Sequence, residues 1–547
     1  MPLLNQIPKL ANTVLEWVWK YLFRLVVSNN SADIQQKRHK YLCKNVDSYI
    51  RQMILNCAFK IEKSHKYHDY KLLLLEMLSD AHIVSVNLTK SGTITLAIDD
   101  VLKLYSILNS NKLTKIYHLG IDCDMPVKEK KDLPEANIQF YQILPKMNNL
   151  SWVTLTSIAN LVIMRTLGAY CHHLEYLDVS KSVLIGDNAI AALLLRKSIN
   201  IDDISTGDVL ELSTKRTPCA QSLKVVCLSE TLVENKGAIL LLRFAHNLTS
   251  LGGPINAFST SESIFSLMNL PEEEMRQLNL TELWDSKLLQ DHASVVEVLC
   301  PNLNKVSVSA SYTSSLDFLP TITEITLDLD FKPWADDIYS FTCYRGEHLK
   351  SLIMENNING PIELGWLIES TPSLEHIEAH IECHYNSTDV AVWERLTTAS
   401  ILLNSSKCLS VFMQHSPALE DLKIKVNEDP CKVTDDWKCI NDDVLVSVTC
   451  KGGLTKLKRL LLRKCAVGLL GINSLLVQCS NLSYLGYLNE WDNLTQTDIE
   501  KLRAKCKSSN WDLTLAEYDH DPKPRFASWE LNPSKKDPGV SHIGQDQ

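Results

Sequence analysis

One leucine spacing recurs along most of this chain and constrains its fold more than any other feature. The pattern is L-x-x-L-x-L, with other aliphatic residues allowed at each position, and most uninterrupted intervals between copies lie within two residues of 25. Its copies begin at Leu150, Leu174, Leu223, Leu248, Leu280, Leu303, Ile322, Leu349, Leu374, Leu419, Leu457 and Leu482, with a weaker one at Ile116. A unit this short cannot bury its apolar side alone, so neighbouring units must stack into one continuous body.

Three intervals exceed the period by half its length or more. The interval from Leu174 to Leu223 predicts either a degenerate repeat or an insertion near residues 198–217. The intervals that end at Leu419 and Leu457 predict further insertions or lost copies.

A small residue stands three positions before the first leucine of several copies. It is cysteine at Cys171, Cys300 and Cys479, and Ala245, Thr371 and Ser416 in other copies. A small residue at a fixed offset favours a tight turn between a helix and the next strand. Because free cysteine behaves as a small hydrophobe, we expect these thiols in the core, whereas a reactive or metal-binding thiol would need ligands or positive charge nearby.

The segments between the leucine motifs read as helices. Asp187–Leu195 begins with a plausible N-cap residue and continues with strong helix formers. Lys236–Phe244 and Gly471–Gln478 follow the same pattern. Each unit is therefore predicted to consist of a strand, a loop and a helix.

The combined pattern resembles the cysteine-containing leucine-rich repeats of F-box/LRR proteins and related ribonuclease-inhibitor-like solenoids. The copies that carry it best are C-H-H-L-E-Y-L-D-V at Cys171–Val179 and C-P-N-L-N-K-V-S-V at Cys300–Val308. The resemblance covers about residues 112–515 and implies an α/β leucine-rich-repeat solenoid, curved, with an N-terminal helical cap or adaptor module.

Three regions are predicted. Residues 1–110 form an N-terminal helical module with helices at Asp47–Lys60 and Tyr70–Leu78 and strand-like stretches at Ile83–Leu88 and Thr93–Ile98. Residues 111–515 form the solenoid. Residues 516–547 hold four prolines, few aliphatic residues and many charges, and we expect a disordered tail.

The N-terminal module has two interpretations. It caps the exposed end of the repeat stack, or it binds another protein. Ile7–Leu10 (I-P-K-L), followed by Val14–Leu22 (V-L-E-W-V-W-K-Y-L), looks like the opening of an F-box and like a degenerate elongin-binding box. Either resemblance implies a cullin-RING adaptor as partner, contacted by Leu10, Val14, Val18 and Leu22.

Side chains between the template leucines are expected on the concave face, because strand side chains alternate between faces. The candidate partner-binding residues are Tyr176, Asp178, Glu282, Trp284, Glu324, His376, Glu378, His380, Lys423 and Arg459. This set predicts an acidic centre and a basic C-terminal end. Tyr176 and Trp284 are candidate interface anchors if exposed, although either residue can instead pack under a loop.

Histidine and glutamate alternate with apolar residues from His376 to His384. The histidine and glutamate side chains then share the solvent side of one strand. A solvated strand face and a partner-binding ladder both fit this pattern. Imidazole and carboxylate also ligate zinc, but one strand face does not supply tetrahedral geometry, so no metal is assigned.

Composition narrows the class of function. A net charge of −10 argues against general binding of nucleic acid. Glu16, Lys20 and Arg24 interrupt the apolar stretch at residues 10–27, so neither a signal peptide nor a membrane contact is expected. The 16 scattered cysteines favour a reducing compartment, cytoplasm or nucleus.

No nucleotide-binding or catalytic fingerprint occurs in the sequence, so we expect a non-enzymatic protein without a cofactor. The leading hypothesis is the substrate-recruiting subunit of a cullin-RING ubiquitin ligase that holds a target protein on the concave face. The alternative is a scaffold or inhibitor without a ligase link.

Overall fold

The computed structural model describes most of the chain. The described residues are 32–60, 68–89, 96–123, 138–196, 216–269, 276–328, 335–355, 362–383, 391–403, 406–426, 440–450, 454–509 and 511–517, with six helical residues between 14 and 24.

Short parallel strands at the leucine motifs form one sheet. The strands are β1 Ser85–Asn87, β2 His118–Asp122, β3 Trp152–Thr156, β4 Tyr176–Asp178, β5 Val225–Cys227, β6 Ser250–Leu251, β7 Glu282–Asp285, β8 Lys305–Ser309, β9 Glu324–Asp328, β10 Ser351–Glu355, β11 Ile362–Glu363, β12 His376–Glu382, β13 Thr398–Leu403, β14 Asp421–Val426, β15 Arg459–Leu462, β16 Tyr484–Gly486 and β17 Thr514–Leu515. Each strand pairs with the next in chain order, except that β10 pairs with β12, and the short β11 pairs with the C-terminal end of β12.

Helices connect the strands. They are α1 Ala32–Asn45, α2 Ser48–Lys60, α3 His68–Leu78, α4 Ile98–Ser110, α5 Ile138–Ile143, α6 Leu161–Tyr170, α7 Asp187–Leu194, α8 Cys219–Ser222, α9 Asn235–Phe244, α10 Thr260–Ser266, α11 Gln290–Leu299, α12 Ala335–Arg345, α13 Leu364–Ser370, α14 Ser406–Gln414, α15 Asp442–Cys450, α16 Leu469–Gln478 and α17 Gln496–Ser508. Turns of 3-10 helix lie at Leu144–Lys146, Leu267–Asn269, Ala310–Phe318, Gly346–His348 and Leu488–Glu490. The three repeat helices predicted from sequence are confirmed as α7, α9 and α16.

The second motif residue of each repeat lies in the same register across the sheet. Leu177 of β4, for example, aligns with Val153 of β3 and with Val226 of β5, and all three are buried. Because a helix is about 10 Å wide and strands lie only about 4.8 Å apart, a stack with helices on one side curves toward the sheet. The chain is thus an α/β leucine-rich-repeat solenoid whose concave face is the sheet surface opposite the helices.

The long intervals have two different causes. β4 pairs directly with β5, and β14 with β15, so the described part of the chain has no extra strand in either interval and both contain insertions. The interval before Leu419 instead contains a complete additional repeat, whose strand is β13. Its motif is Leu396-Ala399-Ile401, where alanine replaces the second leucine.

The cysteines at the helix-to-strand turn are core residues, as predicted. Cys171, Cys300 and Cys479 are each no more than 2% exposed. Burial raises the pKa of all three thiols to about 12, which keeps them protonated and unreactive at neutral pH.

The N-terminal helices cover the first edge of the sheet. The guanidinium of Arg51 on α2 is buried, donates to the carbonyl of Leu78 at 2.8 Å and pairs with Asp80 at 2.7 Å. The neighbouring Gln52 side chain accepts from the backbone N–H groups of Val84 and Ser85 and donates to the carbonyl of Ser85. An edge strand has unpaired backbone groups, and this amide satisfies three of them.

The predicted helices at Asp47–Lys60 and Tyr70–Leu78 are present as α2 and α3. The strand-like stretch at Ile83–Leu88 contains β1, which pairs with β2. The sheet therefore begins inside the segment 1–110. In the described residues, no helix combines the length and apolarity needed to cross a membrane.

Candidate binding surface on the concave face

Register aligns the concave side chains into rows that cross the sheet. The first row is Ser85, His118, Trp152, Tyr176, Val225, Ser250, Glu282, Lys305, Glu324, Ser351, His376, Thr398, Asp421, Arg459, Tyr484 and Thr514. The second row, two residues further along each strand, includes Asp178, Trp284, Glu378 and Lys423. The sequence-predicted residues thus share one face, but Tyr176 and Arg459 are ten strand steps apart, about 50 Å.

An aromatic stack occupies the N-terminal end of the first row. The rings of Trp152 and Tyr176 are parallel, with centroids 3.7 Å apart, and His118 lies 5.7 Å from Trp152 on the other side. Tyr176 is only 5% exposed, because it is stacked on its neighbour in the adjacent strand. Tyr176 therefore lies on the concave face but is packed against its neighbour, which is the second of the two alternatives and leaves little of its ring for a partner to contact.

Asp178 lies beside Tyr176 in the second row. Its carboxylate accepts a hydrogen bond from the backbone N–H of Ser180 at 2.9 Å. Burial raises the pKa of Asp178, and the hydrogen bonds from Ser180 oppose that change. This carboxyl group is held by its own loop.

The central strands hold a buried ion pair. The ammonium of Lys305 on β8 lies 2.8 Å from the carboxylate of Glu282 on β7, and both side chains are 8% exposed. The hydroxyl of Ser250 donates to the same carboxylate at 2.9 Å. Trp284, two residues beyond Glu282, is 4% exposed, so it too is packed rather than presented as an interface anchor. Long side chains on strands about 4.8 Å apart cover one another here.

The first row is continuously accessible from β9 onward. From Glu324 to Tyr484 each first-row side chain is half-buried, whereas the earlier part of the row alternates between half-buried residues, such as His118 and Val225, and the buried run of Ser250, Glu282 and Lys305. We call the concave surface of β9 to β16 the open half. Its first and second rows contain Glu324, His376, Glu378, Lys423 and Arg459 of the predicted set.

Strand β12 shows the predicted alternation. Ile377, Ala379 and Ile381 are in the core, while His376, Glu378 and Glu382 are half-buried and His380 is 9% exposed. Burial lowers the pKa of His376, and Glu378 accepts a hydrogen bond from Ser400 at 3.4 Å. His384 lies outside the described residues. The described residues contain no cluster of three or more metal-ligating side chains.

The cations at the C-terminal end of the open half have partners. Arg459 lies 3.3 Å from Asp421, and its guanidinium is 5.0 Å from the ring centroid of Tyr484. Arg463 pairs with Glu490 at 3.2 Å, and both Arg463 and Lys423 lie over the ring of Tyr487. These acidic partners could not be recognised from the leucine motifs, because they come from other repeats. The predicted basic end is thus a paired surface of both charges.

A second candidate surface lies near the N-terminus, where the described residues are helical. Val14, Trp17, Val18 and Tyr21 are 51%, 75%, 37% and 63% exposed, whereas Leu22 is 8% exposed and belongs to the hydrophobic core. Spacings of three, four and seven residues place the exposed four on one helical face. We call these four residues the apolar face. Of the predicted adaptor residues, Val14 and Val18 are exposed, Leu22 is buried, and Leu10 lies outside the described residues.

No family model matches the sequence, and no curated protein is similar to it in sequence. Solved structures are similar to it at low identity. An internalin from Listeria monocytogenes is 13% identical over 69% of this chain and 82% of its own, with a TM-score of 0.31. The yeast Rad7 and Elc1 complex is 14% identical over 47% of this chain and 74% of its own, with a TM-score of 0.27. The TLR13–ssRNA13 complex is 14% identical over 81% of this chain and 66% of its own, with a TM-score of 0.30.

Proposed function

We propose that this chain is the substrate-recruiting subunit of a cullin-RING ubiquitin ligase. The open half of the concave face binds the target protein, and the apolar face binds the ligase adaptor. The observation that carries the proposal is the apolar face itself, which presents four large hydrophobic side chains to solvent beside the buried Leu22. An exposed apolar patch with two aromatic residues is typical of a protein interface.

The open half supports target binding in a different way. Its charged residues are held in place by neighbours, as Arg459 is by Asp421 and Tyr484. A surface that is ordered before binding loses less side-chain entropy when a partner docks. The acidic and basic groups on β9 to β16, among them Glu324, Glu378 and Lys423, select a partner by charge complementarity.

A scaffold or inhibitor without a ligase link remains the second candidate, and one observation favours it. Arg51 and Gln52 make α2 a structural cap of the first repeat. Helix α2 therefore has a role that needs no partner, and the apolar face is the feature that distinguishes the two functions.

The test uses the purified full chain with two purified adaptors, elongin C and the F-box-binding adaptor. Trp17→Glu/Tyr21→Glu places two carboxylates on the apolar face. The matched control, Leu470→Glu/Val477→Glu, changes two residues of α16 that are 61% and 76% exposed. We expect wild type and control to bind one adaptor, and the first double variant to bind it at least about 30-fold more weakly, since an aromatic hot spot contributes about 2 kcal/mol. Failure of the wild type to bind either adaptor would contradict the ligase function and favour the scaffold.

A further inference from the structure

Three arginines and a histidine gather at the rim of the solenoid where the helices end. Arg196 follows α7, Arg216 precedes α8, His246 follows α9, and Arg276 precedes β7. Arg196 and His246 are exposed, while Arg216 and Arg276 are half-buried. We call these four residues the rim cluster. It lies at the opposite end of the helices from the loops that follow the strands, and outside both surfaces described above.

Within the described parts of the chain, the rim cluster contacts neutral groups. Arg216 donates toward Nδ1 of His246 at 3.5 Å, and its guanidinium lies 5.5 Å from the ring centroid of Phe244. Arg196 donates to the carbonyl of Arg216 at 3.0 Å. Arg276 donates to the carbonyls of Leu242 and Arg243 at 3.0 and 3.2 Å.

No carboxylate in the described parts of the chain forms an ion pair with Arg196, Arg216 or Arg276. Elsewhere on the molecule buried or half-buried cations do have such partners, as Arg51, Lys305, Arg459 and Arg463 show. Among the residues that the structure describes, the rim cluster is therefore an accumulation of positive charge without a paired carboxylate.

The charges of the cluster oppose one another. Burial, and then the charge of Arg216, lower the pKa of Arg276 to about 10. His246 is exposed, but partial desolvation by the surrounding side chains, and then the charges of Arg276 and Arg216, lower the pKa of its imidazole to about 4. The carbonyls at a helix C-terminus carry about half an elementary negative charge and can stabilise one cation. At the C-terminus of α9 that cation is Arg276, so these carbonyls do not neutralise the remaining arginines.

We propose that the rim cluster binds a phosphate monoester carried by a phosphorylated side chain of a bound protein. A phosphate monoester has a charge of about −1.5 to −2 and three strong acceptor oxygens at neutral pH. It matches several arginines at once, whereas a carboxylate neutralises only one. Recognition of phosphorylated side chains by arginine clusters is a recurrent binding mode.

The choice of a protein as the source of the phosphate rests on the proposed function, that this solenoid binds a target protein. The phosphate site itself does not depend on the apolar face. Loss of adaptor binding in the Trp17→Glu/Tyr21→Glu variant and loss of phosphate binding are separate measurements, so the two proposals fail independently.

The first measurement follows the imidazole resonances of His246 in the full chain during titration with inorganic phosphate, with chloride as the ionic-strength control. A bound anion next to the imidazole favours its protonated form. We expect phosphate, and not chloride, to shift these resonances and to raise the midpoint of their pH titration by at least about one unit. An unchanged midpoint at saturating phosphate overturns the proposal, and this test needs no variant that has to fold.

The second measurement uses a degenerate phosphoserine peptide library and its unphosphorylated counterpart on the immobilised full chain. We expect the Arg216→Gln/Arg276→Gln variant to retain at least about 10-fold less phosphopeptide than wild type. The control variant, Arg395→Gln/Arg165→Gln, removes the same charge from two exposed positions and should retain as much phosphopeptide as wild type.

Equal retention of phosphopeptide by both double variants overturns the proposal. Equal retention of the two libraries by wild type overturns the protein source and leaves a small phosphorylated molecule. The proposal is also overturned if the chain binds a phosphodiester oligonucleotide but does not bind the phosphopeptides, which carry a phosphate monoester.

Discussion

The side-chain amide of Gln52 donates a hydrogen bond to the backbone carbonyl of Ser85 at 2.8 Å, and its oxygen accepts from the N–H of the same residue at 3.1 Å. One side chain thus replaces the neighbouring strand that β1 lacks. This relationship explains how a stack of repeats begins without leaving an open edge.

Replacing Gln52 with Leu should release this edge. The change leaves the N–H groups of Val84 and Ser85 and the carbonyl of Ser85 without the partners they now have. A buried unsatisfied backbone group costs about 1–3 kcal/mol, and we expect a total loss of about 3 kcal/mol. In a solenoid, where each repeat contacts only its neighbours, the loss should be confined to the first repeats. Hydrogen exchange of the β1 and β2 amides measures it. Gln36→Leu, at an exposed position of α1, is the control and should leave exchange unchanged.

Trp393 should be the most sensitive residue of the repeat that contains β13. Its side chain is fully buried, and its indole N–H donates to the carbonyl of Thr371 at 2.9 Å. Trp393→Phe removes that hydrogen bond at a cost of about 1–2 kcal/mol, and Trp393→Ala adds a cavity for a total of about 3–5 kcal/mol. Urea unfolding followed by circular dichroism provides the test. Trp17→Phe, at a largely exposed residue, serves as the control, and equal effects at the two tryptophans would contradict the prediction.

The same tryptophan shows where the sequence pattern stopped being informative. It stands three residues before Leu396, the place of the small residue in other repeats, and Ala399 takes the place of the second leucine. In this repeat the large Trp393 occupies the position of a small residue, and the small Ala399 occupies the position of a leucine. A search for the leucine motif therefore misses the repeat, although β13 pairs with β12 and β14 in the same register as the other strands.

The concave face was predictable in position but not in accessibility. Alternation along each strand placed Glu282 and Trp284 correctly on one face, because it depends only on local backbone geometry. Their burial depends on side chains from other strands, such as Lys305, and no spacing in the sequence encodes those contacts. For the same reason the rim cluster, which joins residues of successive repeats, could not be recognised before the register was known.

The ion pair of Glu282 and Lys305 gives a third prediction. Lys305→Met leaves a buried carboxylate with Ser250 as its hydrogen-bond donor, and breaking a buried pair in this way costs about 3–5 kcal/mol. The double variant Glu282→Leu/Lys305→Met removes both charges and should recover most of that loss. Lys458→Met breaks the exposed pair with Glu420 and should cost less than about 1 kcal/mol. A double variant that is as unstable as Lys305→Met in urea would show that lost packing, rather than the unpaired charge, causes the destabilisation.

His246 should make stability depend on pH below neutrality. Partial desolvation, and then the charges of Arg276 and Arg216, lower the pKa of its imidazole to about 4 in the folded chain, while an unfolded histidine titrates near 6.5. Between these values the unfolded state binds more protons than the folded state, so this residue's contribution to stability is present above pH 6.5 and is lost as pH falls toward 4.

The urea midpoint of wild type should therefore fall more steeply between pH 6.5 and 4.5 than that of His246→Gln. Carboxylates also titrate in this range, so the difference between the two proteins is the quantity that reports His246. His173→Gln, at an exposed position of the turn after α6, controls for the removal of a histidine. Because a bound anion favours the protonated imidazole, saturating phosphate should reduce the difference between wild type and His246→Gln. Parallel pH profiles of the two proteins without phosphate would show that Arg216 and Arg276 do not act on this imidazole in the folded chain.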